Sequence, residues 1–286
     1  MPTLGRPTRL ANPERTTGHR TLPAMPIWAD PKRGETVRLL ADDDMTLLAT
    51  FVAPPGEVPT AADVRLVDGA DPARFAHVAC RDLPGVRLIT RVDEAAALAA
   101  SGATVVSSAV HMVRAHLQED PPPLRWAAPR LPGGISLTGL ERSAGEIVTA
   151  RRLVGSSRMT VDGLAGLLAG ETMGPVYDDA SALLVTGDGL VAGAVVVTLW
   201  EAIGDEWAGG PWVSELFRLP AAGPGLVGRG LLARAVVVAH LDGHDSIGVT
   251  VDSGDRACAR LYRRLGFEPA FHRVTLDLPG SWPAAP

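Results

Sequence analysis

Lysine is nearly missing from this chain. Lys32 is the single lysine among 27 Lys and Arg residues in 286 positions. Arginine carries the rest of the positive charge, as high-G+C coding favours. Schiff-base chemistry therefore has one candidate, in an expected N-terminal tail. Cysteine is scarce too. Cys80 and Cys258 lie far apart and form no CxxC or Cys/His ligand set. That excludes a disulfide framework and a zinc site, and it fits a reducing cytoplasm. A surplus of positive charge is also absent: the net charge is −5, with a pI near 5.8. Sequence-independent nucleic-acid binding needs a basic face, so no nucleic-acid partner is expected. No long apolar run occurs. The longest, Leu190–Trp200, is too short for a bilayer, and the first thirty residues lack the apolar core of a leader. No membrane partner is expected. What is present is ordinary globular composition, with 46% hydrophobic and 21% charged residues. The length suffices for two modest domains.

Composition shifts divide the chain. Residues 1–34, rich in Pro, Arg and Thr without periodicity, read as a flexible tail. The stretch 118–134 holds five prolines and reads as a stiff linker. Between them, 35–117 reads as a small α/β domain; 135–279 is the larger domain, and 280–286 a second tail. The larger domain reads clearly. Ile135–Leu140 is a short strand, and Ser143–Gly155 and Thr160–Gly170 are helices. Ser181–Trp200 is a hairpin turning at Asp188-Gly189. Trp212–Leu219 is a strand stopped by Pro220. Leu231–Gly243 is a helix ending at a glycine, and Ser246–Asp252 a strand. Arg256–Gly266 is a helix with Asp255 placed to cap it, and Ala270–Leu278 a final strand. Val86–Leu117 repeats the order strand, helix, glycine, strand seen in Gly248–Leu278, with Gly102 standing where Gly266 does. An internal repeat is one reading of this echo.

The stretch Gly223–Gly230, GPGLVGRG, admits two phosphate loops. Gly223, Gly225 and Gly228 match the G-x-G-x-x-G turn of dinucleotide-binding folds, and Asp252 stands near the acidic position that such folds use. Against this, Pro220, Ala221 and Ala222 part the strand from the first glycine. The residues after Gly228 offer too few elements for the remaining βαβ units. The alternative loop is Gly225-Leu226-Val227-Gly228-Arg229-Gly230. It is similar to the Gln/Arg-x-x-Gly-x-Gly/Ala motif of the GCN5-related N-acetyltransferases (GNAT), with the first Gln/Arg lost. Asp255–Phe267, DRACARLYRRLGF, resembles that family's second signature, with Leu261, Tyr262, Gly266 and Phe267 in place and Asp255 where Asn is usual. The resemblance covers 135–279.

This resemblance implies an α/β (α+β) chain: a GNAT acyl-CoA N-acyltransferase fold, with a mixed, mostly antiparallel sheet flanked by helices, plus the smaller N-terminal α/β domain. It implies acetyl-CoA as co-substrate and a small-molecule or peptide amine as acceptor, acylated by direct attack in a ternary complex. It places the cofactor along Phe217, Arg218 and Leu219, on Gly225, Leu226, Val227, Gly228, Arg229, Gly230 and Leu231, and at Asp255. Tyr262 is the implied general acid at the CoA sulfur, and Glu215 the candidate base. Glu146 and Arg151 lie on a helix that lines the acceptor site in that family. The residues also allow plainer roles: Tyr262 as packing, Glu215 as a solvated strand carboxylate, Asp255 as a cap. His240 and His244 have metal-ligand spacing but no third ligand accompanies them, so no metal is expected. Two other functions stay open, a non-catalytic acyl-CoA-binding module and a dinucleotide-binding protein. Monomer and homodimer stay equally open.

Overall fold

Alternating and continuous apolar runs fold here into strands that bury one or both faces, and the helices fill those faces. The computed structural model describes residues 27–29, 36–53, 61–140, 144–154, 161–170, 174–200, 207–222 and 226–280. These form two compact units, 1–109 with 272–286, and 110–271. Among the described residues no helix is long and apolar enough to cross a membrane.

The first unit contains β1 (Ile27–Ala29), β2 (Thr36–Ala41), β3 (Leu47–Ala53), β4 (Ala61–Leu66), α1 (Pro72–Asp82), β5 (Arg87–Arg91) and α2 (Val92–Ala100). Its sheet runs β1-β2-β3-β4-β5 and then the C-terminal strand β12 (Glu268–Asp277). All the pairings are antiparallel except β4 with β5. Asp71 caps α1 by accepting from the Ala73 N–H, and Pro72 occupies the first turn, where its missing N–H costs nothing. The helix then buries Phe75, Val78 and Ala79 against Leu48, Phe51 and Leu88. Two expectations change here. The segment read as a tail contains β1, whose Ile27, Trp28 and Ala29 pair with β2. The final strand divides: residues 273–277 pair with β5, and Val274, Leu276 and Leu278 join this unit's core. Alternation gives a strand a buried face but does not say which core receives it.

The second unit begins within β6 (Thr104–Arg114) and contains β7 (Ile135–Thr138), α3 (Ala144–Arg152), α4 (Val161–Leu168), β8 (Ala182–Thr186), β9 (Val191–Trp200), β10 (Gly210–Arg218), α5 (Leu226–Leu241), β11 (Ile247–Asp252) and α6 (Arg256–Arg263). The strand order is β6-β11-β10-β9-β8-β7. β7, β8, β9 and β10 pair antiparallel, and β10 with β11 is parallel. The hairpin turns at Asp188-Gly189, with Gly189 at φ 85° as a left-handed turn requires. One face of the sheet packs on α3 and α4, through Ile147, Leu164, Leu183 and Val196. The other packs on α5 and α6, through Val197, Leu232, Val236 and Val249.

The Pro-rich stretch 118–134 is not a free linker. It belongs to the second unit and lies along α5. Gln118 donates from Nε2 to the carbonyls of His240 and His244, near the helix end. Trp126 and Leu131 pack on the core, and Pro129 reaches Gly230 in the first turns of the helix. The strap thus runs antiparallel to α5. The reason lies in the helix: Leu231–Leu241 is apolar on nearly every side, and such a helix must be covered all round.

Candidate active site

A β-bulge builds the site. In β10, Val213 pairs with Val197 and Glu215 pairs with Val196, so Ser214 is the extra residue. Strand residues alternate faces, and one inserted residue reverses the alternation beyond it. Val213 therefore packs toward α5, while Glu215 and Phe217 turn toward α3. Parallel pairing of β10 with β11 is confined to Trp212 with Gly248 and Val213 with Val249. Beyond the bulge, Glu215–Arg218 pair only with β9, and a cleft opens between β10 and β11.

Groups from both faces of the sheet meet at this cleft. From α3, Arg151 donates from Nε to Glu215 Oε1 at 2.9 Å, and its guanidinium lies 5.9 Å from the centre of the Phe217 ring. The Leu216 N–H donates to the same Oε1 at 3.2 Å. From α6 come Tyr262 and Cys258. Tyr262 is 5% exposed, and burial raises its hydroxyl above the ordinary tyrosine range; the charges of Asp255 and Glu215 push the same way. Burial pushes the Cys258 thiol up to about 12, aided by its hydrogen bond to Asp255, while Arg151 opposes this. Asp255 caps α6, accepting from the N–H groups of Ala257 and Cys258. Those bonds hold its carboxyl below the ordinary aspartate value.

The cofactor residues fall as follows. α5 starts at Leu226, five residues earlier than the sequence indicates. Leu226, Val227, Gly228, Arg229 and Gly230 are thus the opening turns of a helix rather than a loop, and Leu231 is buried. Glycine serves here by lacking a side chain, because neither Gly228 nor Gly230 has a positive φ. A Cβ on Gly228 would make ordinary contact with the Arg218 stem at 3.6 Å. A Cβ on Gly230 would lie 2.7 Å from Pro129 Cβ, which is a clash. Gly223 and Gly225 lie outside the described residues. The Leu219 N–H is bonded to the Ala192 carbonyl at 2.6 Å, on the β9 side. By alternation the Arg218 amide faces away from β9, on the side of the cleft. The helix N-terminus adds unpaired N–H groups and a partial positive charge.

Tyr262, Glu215 and Asp255, each named from sequence, lie near enough for the two carboxylates to add to the burial that raises the Tyr262 hydroxyl. Arg151 proves to be the partner of Glu215, which the sequence did not rank. Cys258 adjoins them through its hydrogen bond to Asp255 and the nearby charge of Arg151. Glu146 is on α3. Gln118 bonds the carbonyls of His240 and His244, and the His244 ring packs against Tyr177.

No protein-family model matches the sequence, and no curated protein matches it. Solved structures do. A GCN5-related N-acetyltransferase from Sphaerobacter thermophilus is similar over 87% of this chain and 82% of its own, at 17% identity and a TM-score of 0.55. The chain has the GNAT fold. A tandem GNAT protein from the clavulanic acid biosynthesis pathway is similar over 87% of this chain and 84% of its own, at 16% identity and TM-score 0.52. An acetyltransferase of the GNAT family from Colwellia psychrerythraea covers 85% of this chain and 84% of its own, at 10% identity and TM-score 0.52. The mixed sheet with flanking helices agrees with the expected fold class.

Proposed function

We propose that the protein is an acetyl-CoA-dependent N-acetyltransferase that acylates an amine of a small-molecule or peptide acceptor by direct attack. The observation that carries this reading is the meeting of Glu215 and Tyr262 from opposite faces of the sheet at a cleft between two splayed parallel strands. Its support is that the cleft suits the co-substrate. The Arg218 amide faces it, and the first turns of α5 offer N–H donors beside Gly228, which carries no side chain of its own. Arg218 and Arg229 add positive charge for the pyrophosphate. When bound, acetyl-CoA supplies the activated acyl group as a thioester.

Both protein hydrogen bonds to Glu215 end on Oε1. Oε2 is therefore the atom that takes the proton the acceptor amine loses. Arg151 fixes the orientation of the carboxylate for that task. Tyr262 is held protonated by burial, so its hydroxyl donates to the sulfur as the C–S bond breaks. Cys258, kept as a thiol, takes no part as a nucleophile. Mass balance is simple: the amine nitrogen gains the acetyl group, the leaving sulfur gains a proton, and no covalent enzyme intermediate forms.

The strand–helix–strand runs β5-α2-β6 and β11-α6-β12 share their order, and Gly102 and Gly266 both adopt positive φ after the helix. We propose that the N-terminal part is a degenerate partial copy of the fold without a cofactor loop. The function is tested by following free thiol release from acetyl-CoA against a panel of amines, amino acids and peptides. Amine-dependent release that is lost in Glu215→Gln supports the reading. Acetyl-CoA binding without transfer to any amine would favour a non-catalytic acyl-CoA module.

A further inference from the structure

The face of α6 turned away from Tyr262 carries a second feature. Arg256, Arg260 and Arg263 stand at i, i+4 and i+7, so their guanidiniums form one stripe, while Cys258, Tyr262 and Leu265 form the opposite, inward stripe. Like charges at this spacing repel one another, and among the described residues none of the three makes an ion pair. The stripe borders a cavity of about 360 Å³ whose floor is Val110, Met112, Val251 and Pro269. Asp252 is the one carboxylate on its lining. An adjoining hollow of about 270 Å³ shares Arg263 and Pro269 and reaches Glu268. Three positive charges against the carboxylates of Asp252 and Glu268, over an apolar floor, leave a positive surplus and describe a receptor for a ligand with an anionic head and an apolar body.

We infer that this groove on the outer face of α6 binds an organic anion, a phosphate monoester with a short apolar substituent, separately from the catalytic cleft. Guanidiniums match phosphate geometry through paired N–H donors, and the floor accepts the hydrocarbon. The arginines are exposed, so they can close on such a head group.

The test is calorimetric titration of the full-length protein with hexyl phosphate, with inorganic phosphate and hexanol as the two half-probes. Titrations are run alone and in saturating CoA. Hexyl phosphate should bind at least about 10-fold tighter than inorganic phosphate, equally well with CoA present. Arg260→Ala with Arg263→Ala should weaken it by about 10-fold or more while leaving CoA binding and the melting temperature unchanged. Because both residues are exposed, the double variant should fold. Competition by CoA would assign the anion site to the cofactor cleft and overturn the proposal. So would equal binding of both phosphates, or binding indifferent to the two arginines.

Discussion

Tyr262 carries its proton over the whole neutral range, because burial leaves its phenolate without solvent. Tyr262→Phe keeps the ring in its core position and removes only the donor. Turnover should fall by about 10²-fold, with the KM for acetyl-CoA unchanged; an unaltered rate would make Tyr262 a packing residue. Cys258 gives a second prediction of defined sign. Its thiol is raised to about 12, so the reactive thiolate is scarce at pH 8. Iodoacetamide should alkylate it far more slowly in the folded chain than in denaturant. Fast labelling in the native state would contradict the burial. Tyr262 and Asp255 were legible because they fall in a local sequence signature. The Arg151–Glu215 pair was not. The two residues are 64 positions apart, and they meet only because Ser214 is inserted in the ladder. The alternation of Trp212–Arg218 reads equally well with or without that bulge.

Helix α5 and its strap show what element-scale reading caught and missed. The helix and the strand before it were legible from glycine and proline punctuation. Its start was not, since glycine disfavours a helix interior, yet Gly228 and Gly230 stand in the opening turns without a positive φ. The strap was missed because consecutive prolines suggest a spacer. The available signal was the helix itself, apolar on too many sides to face water. A consequence follows at Gly230. The family motif tolerates Ala there, but here Pro129 fills the space. Gly230→Ala should destabilise the fold by about 1–3 kcal/mol, as overpacking does. Adding Pro129→Gly should restore most of the lost melting temperature. Additive losses in the double variant would show that the two residues do not share that space.

For the whole molecule, the order of elements in 135–279 was legible and the division into units was not. Strands of both units have similar alternation, and pairing partners distant in sequence leave no local mark. The second unit draws Met112, Leu117, Trp126 and Leu131 from before residue 135 into its core. A fragment 135–286 loses all four, and the Asp245 carbonyl loses the Leu117 N–H that it accepts from. That fragment should be poorly soluble and show no cooperative unfolding; a soluble monomer as stable as the full chain would refute this. The central claim, that the cleft between β10 and β11 holds acetyl-CoA, rests on ligand binding to the folded state. Thermal unfolding of the full chain with acetyl-CoA and, separately, with NAD and NADP measures it directly, because a ligand bound only by the native state raises its melting temperature. The account predicts a concentration-dependent rise with acetyl-CoA and none with either dinucleotide. A rise with NAD or NADP alone, or none with acetyl-CoA, would contradict it.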